Sequence, residues 1–98
     1  MAFRVIWSEA ALSDLREIVR YIARDNVDAA ERMGRLILGK MDALARFPRT
    51  GRMVPEYRRD DLREILVAPY RVVFQIDDAN GLLNVVRVRH GARKDLGL

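Results

Sequence analysis

Histidine is the residue type whose ordinary pKa lies near neutrality, and this chain has one, His90. It stands in Arg87-Val88-Arg89-His90-Gly91-Ala92-Arg93-Lys94, a segment with five basic-type side chains and no acid. Cleaving an RNA strand needs cations around the scissile phosphate, where negative charge develops, and an acid or base to move a proton. The segment holds both kinds of group. The plainer alternative is a strand end with solvated arginines and a histidine bonded to a backbone carbonyl. Residue types alone fit either.

Other chemistries are poorly supplied. The chain has no cysteine, which removes disulfides, thiol catalysis and zinc–thiolate sites. Asp60-Asp61 and Asp77-Asp78 are adjacent pairs in expected loops, where sequence neighbours point apart, so they read as turn-solvating groups. With one histidine besides, no metal site is expected. Ser8 and Ser13 both fall at the start of the first expected helix, a poor place for a serine–histidine pair. No phosphate loop or dinucleotide fingerprint is present, so no cofactor is expected.

The elements that would position these residues follow from periodicity. Phe3, Val5 and Trp7 alternate, as in a strand. Ser8 can cap a helix whose stripe runs through Leu12, Leu15, Ile18, Val19 and Ile22, ending near Ala23. Asp14, Arg16, Glu17 and Arg20 lie off that stripe at ion-pair spacing. Asp28 and Glu31 resemble a capping box for a second helix through Ala30, Met33, Ile37, Met41 and Leu44, stopped by Pro48. Arg49 to Asp61 reads as a loop. Three strands follow at Leu62–Val67, Arg71–Asp77 and Leu82–Arg89, with Asn80-Gly81 turning between the last two. Val72, Phe74 and Ile76 share one face, and Val86 and Val88 oppose Arg87 and Arg89.

The expected fold is α+β, in the order β-α-α-β-β-β. A helical hairpin packs on the apolar face of a small antiparallel sheet, leaving the arginines on the other. At 98 residues the chain has room for one core, so residues 1–98 form one domain. Eighteen basic residues, sixteen of them arginine, face fourteen acids for a net +4. The excess lies mostly in the second half: +1 over residues 1–48 and +3 over 49–98. The helical arginines read as a solvated face and the later ones as the candidate surface. No apolar run approaches a membrane span and the N-terminus does not read as a signal peptide, so the cytoplasm is the expected compartment.

The ordered parts resemble the RelE/ParE toxin superfamily over nearly the whole chain. The resemblance rests on Asp14-Leu15-Arg16-Glu17-Ile18-Val19-Arg20-Tyr21-Ile22-Ala23 and Leu44-Ala45-Arg46-Phe47-Pro48-Arg49-Thr50-Gly51-Arg52. It rests equally on Leu62-Arg63-Glu64-Ile65-Leu66-Val67, Pro69-Tyr70-Arg71-Val72-Val73-Phe74 and the Val86-Val88 strand running into His90-Gly91-Ala92-Arg93. It implies a bacterial type II toxin silenced by a cognate antitoxin whose segment folds on binding. Two activities are implied: ParE-like poisoning of DNA gyrase, slightly favoured, or RelE-like cutting of mRNA on the ribosome. For a nuclease, Arg71 and Arg93 match the family's arginines, with His90 or Arg63 near the proton transfer. Leu62-Arg63-Glu64 stands where the nucleases carry lysines, and the terminal tyrosine of some has no counterpart. An acidic antitoxin segment is expected to meet Arg63, Arg71, Arg87 and Arg89.

Overall fold

The alternation of Phe3, Val5 and Trp7 produces β1 (Arg4–Trp7), with those side chains packed inward. Ser8 then caps α1 (Glu9–Ala23), its Oγ accepting the Ala11 N–H at 3.0 Å. The computed structural model describes residues 2–93 and 95–98. The second helix, α2 (Val27–Leu44), is capped by Asn26, not by Asp28 as expected. Asn26 is extended and its Oδ1 accepts the Ala29 N–H at 2.9 Å. Asp28 sits inside the first turn, where its charge faces the positive end of the helix dipole.

The segment after Pro48 is more ordered than a loop. A single 3₁₀ turn at Pro48–Thr50 leads into a two-residue strand, β2 (Arg52–Met53), which pairs antiparallel with β3 (Leu62–Val67). No hydrophobic period can reveal an element of two residues. A tight reversal leads from β3 to β4 (Tyr70–Asp77), and the Asn80-Gly81 turn leads to β5 (Leu82–His90). Gly81 has φ +64°, a conformation that costs a Cβ-bearing residue energy, and Asp77 accepts from both Asn80 nitrogens.

The sheet order is β1-β5-β4-β3-β2, with β1 parallel to β5 and every other pair antiparallel. The fold class is the expected α+β arrangement with the helical hairpin on one sheet face, but the sheet is corrected from four antiparallel strands to five mixed ones, because β2 is added and β1 runs parallel to β5. Ile37 and Met41 of α2 and Leu15 of α1 close over Val72, Phe74, Ile76, Leu83, Val85 and Val88. Each such side chain contributes roughly 1.5–3 kcal/mol when fully buried. A smaller core covers part of the opposite face, where Leu96 packs on Val54, Leu62 and Val73.

One bulge decides which way the end of β5 faces. Val73 pairs with Arg87 but Phe74 pairs with Val85, so Val86 is extra. Val85 and Val88 both reach the main core, while Val86 packs with the smaller one. The expected common face for Val86 and Val88 is therefore corrected: strict alternation fails across the inserted residue.

Candidate functional site

Four arginines were expected to offer their charge outward, and the structure gives three of them internal carboxylates. On the sheet face away from the helices, Arg71 is only 6% exposed. Its Nε donates to Glu64 Oε1 at 2.8 Å, and its Nη1 and Nη2 grip the two Glu56 oxygens at 2.9 Å each. Glu64 is fully buried and also accepts from Arg52 Nε at 2.5 Å. Two cations and two carboxylates thus close into a neutral quartet. Arg71 is held still more firmly in its charged form, chiefly by Glu56, and Glu56 is lowered to about 2 by the same bond.

Arg63 serves the neighbouring loop. Its Nη2 meets Asp60 Oδ1 at 2.7 Å, while Nε and Nη1 donate to the Asp60 and Gly51 carbonyls at 2.8 and 3.0 Å. Arg49 spans Asp60 and Asp78, both Nη2 contacts at 2.8 Å, tying the loop to the β4–β5 turn. Those two aspartates therefore do more than solvate their turns. The Arg49 guanidinium holds both carboxyls below the usual range, with Arg63 adding to the effect at Asp60.

Arg87 is taken by α1. Its Nε and Nη2 form a two-point contact with Asp14 at 2.8 Å each, and Asp14 Oδ2 also accepts the Val88 N–H at 2.9 Å. The reason is topological. β1 ends opposite Val85, so β5 has no strand neighbour on that side from Val86 onward. Ser8 Oγ donates to the Val86 carbonyl at 3.2 Å and Asp14 takes Val88, so the cap of α1 and one of its side chains stand in for a missing strand. Asp14 is 7% exposed, which corrects its expected place among solvated helical charges.

Arg89 donates to the Leu96 carbonyl at 3.2 Å and has no carboxylate partner among the described residues. The segment from Asp95 folds over it, and Gly97 (φ +68°) lies so close that a Cβ there would meet Arg89 Nη2.

His90 and Arg93 lie elsewhere. Register places Tyr70 opposite His90 and Arg71 opposite Arg89, so His90 faces the helix side and Arg71 the other. The His90 ring meets Tyr70 edge-on at 5.8 Å, and its Nδ1 accepts the Ala92 N–H at 3.1 Å, which leaves Nε2 as the free nitrogen. His90, Arg93, Tyr70 and the α1 residues Glu17 and Tyr21 line a groove of about 520 Å³. The sheet separates this group from the Arg71 quartet, and Arg63 sits in its own loop clamp. The four candidate catalytic residues are not gathered. Lys94 of the basic segment lies outside the described residues.

Sequence reasoning missed Glu56, Glu64 and Asp14 as the groups that set this electrostatics. A signal existed for Glu64, a charge between Leu62 and Leu66 on one strand face, diagonal to Arg71 across the β3–β4 register. Among the described residues no helix is long and apolar enough to cross a membrane, and no three of His, Asp and Glu gather as a metal-binding group.

Known proteins share this architecture. The chain is 37% identical over 91 residues to the toxin RelE2 of Caulobacter vibrioides, covering 92% of this chain and 97% of that one. Its fold is similar to a chain of the chromosomal ParDE toxin–antitoxin system of P. aeruginosa, with a TM-score of 0.71 at 17% identity, covering 91% and 96% of the two chains. A chain of the intact E. coli RelBE toxin–antitoxin complex gives 0.65 at 21% identity, covering 94% and 100%. Residues 5–95 match the ParE toxin family of type II toxin–antitoxin systems. The chain belongs to that family, within the RelE/ParE superfamily of type II toxins.

Proposed function

We propose that this toxin arrests growth by poisoning DNA gyrase in the cytoplasm, and that a cognate antitoxin silences it through the arginine-bearing sheet face. The observation carrying this reading is the separation of the candidate catalytic groups: Arg71 is closed into a quartet with Glu64, Glu56 and Arg52 on one sheet face, while His90 and Arg93 line a groove on the other. A nuclease needs free cations and a proton-transfer group around one phosphate. Here Arg71 is neutralised by its own carboxylates, and His90 faces the other side of the sheet.

The same quartet defines how the antitoxin would engage. Of Arg63, Arg71, Arg87 and Arg89, the last gives up only a backbone carbonyl. The other three meet an acidic segment by exchanging an internal carboxylate for one of the partner's, and Glu56, at the rim, is the group to be exchanged at Arg71.

Two assays run in parallel test the target. Purified toxin should inhibit gyrase supercoiling and leave ribosome-bound mRNA uncut by primer extension. Site-specific cuts that vanish in Arg71→Ala and Arg93→Ala would replace this reading with the ribonuclease one, drawing on His90 and Arg93.

A further inference from the structure

Internal pairing takes up most arginines of the second half, and much of the cationic charge left unpaired among the described residues stands on the helices. Among the described residues, one ion pair lies within the helices, Glu31–Arg35 on α2. On α1, Arg16 and Arg20 are exposed and unpaired, as is Arg24 at its C-terminal cap. They are spaced i, i+4, i+8 and so stand in one row, about 6 Å apart along the axis. Arg24 is itself in the αR conformation, so the row continues past the last helical residue.

The carboxylates of α1 do not interrupt this row. Asp14 is committed to Arg87 and Val88. Glu17 faces the His90 groove and lies near enough to help hold Arg87 charged. Glu9 stands in the first turn, a helical turn or more below Arg16.

We propose that this α1 ridge is a sequence-independent contact surface for the phosphate backbone of duplex DNA. An acidic protein segment that folds on binding needs apolar anchors as well as charge. The ridge has one exposed ring beside it, Tyr21 at 67%, and no series of apolar anchors, since Leu15, Ile18, Val19 and Ile22 of α1 turn toward the core. A regular line of cations on a rigid helix, in a chain of pI about 10.1, suits a regular line of phosphates. The row lies on a different surface from the Arg71 quartet, so the proposal stands whether gyrase or the ribosome is the target.

Fluorescence anisotropy with two unrelated 20-base-pair duplexes, across a salt series, tests it. Wild-type toxin should bind both duplexes alike. In the triple variant Arg16→Gln, Arg20→Gln, Arg24→Gln, affinity should fall about tenfold at low salt, and the slope of log K against log salt should shrink by up to about 2.7. A control, Arg32→Gln with Lys40→Gln and Arg46→Gln, makes the same change in net charge from α2 and the segment after it, and should retain most of the affinity. Equal losses in both triples would reduce the effect to net charge and overturn the proposal. So would an unchanged slope, tighter binding of single-stranded RNA, or absence of wild-type binding. Circular dichroism on both triples confirms that the helices persist.

Discussion

Replacing Glu64 by glutamine changes one oxygen for an NH₂ at the most enclosed charge among the described residues. Glu64 is fully buried, and the Arg71 side chain beside it is 7% exposed, so water can replace little of what is lost. Breaking a buried pair by removing one partner costs about 3–5 kcal/mol. Two features place this site near the low end. Glu56 stays on Arg71 and offsets part of its charge, and Arg52, with 56% of its side chain exposed, can turn to solvent. The expected loss is therefore about 3 kcal/mol, or more than ~10 °C in Tm for a domain of this size. Urea titration followed by circular dichroism reads it directly. A companion variant, Glu64→Leu with Arg71→Met, removes both charges and should recover most of the loss, because the packed volume is kept while the buried charges go. A Glu64→Gln protein within about 1 kcal/mol of wild type would refute the reasoning, since a pair that weak cannot keep Arg71 from a phosphate.

Two further outcomes follow from the same electrostatics. The folded-state pKa of Glu56 is depressed from 4.5 to about 2, so its stabilising contribution is complete above about 4.5 and is lost as pH falls toward 2; pH-dependent urea titrations should show that acid-side loss flattened in Glu56→Gln. Asp14→Ala leaves Arg87 without its carboxylate and Val88 N–H without an acceptor, so stability should drop by about 2–4 kcal/mol, with loss of hydrogen-exchange protection at Val88.

What the sequence made legible was local. Both helical stripes, the alternation of Val72, Phe74 and Ile76, the Ser8 cap and the Asn80-Gly81 turn all follow from spacings within a few residues, and all appear as expected. What stayed hidden depends on distant partners. Asp14 and Arg87 lie 73 positions apart, and nothing near Asp14 marks it as the substitute for a missing strand. The bulge at Val86 is visible only once the β4–β5 register is known. The internal pairing of the candidate surface stayed hidden for a related reason. Composition counts the arginines of the second half, but only folding shows that Glu56, Glu64, Asp60 and Asp14 are aimed at them.

The parallel pairing of β1 with β5 also sets an order of events. Arg4 lies opposite Leu82, so the first strand made must wait for the last before the sheet can close. At a synthesis rate of about 5–20 residues per second, that wait is about 4–16 s. Until then the helical hairpin has no completed sheet to cover, and Ser8 and Asp14 have no strand edge to satisfy. The three-stranded meander of β3, β4 and β5 closes over short loops, whereas β1 docking spans nearly the whole chain and carries the greater entropic cost of closure. A nascent toxin is therefore an unfinished sheet for almost the whole of its synthesis, and its mature surface is assembled in one late step.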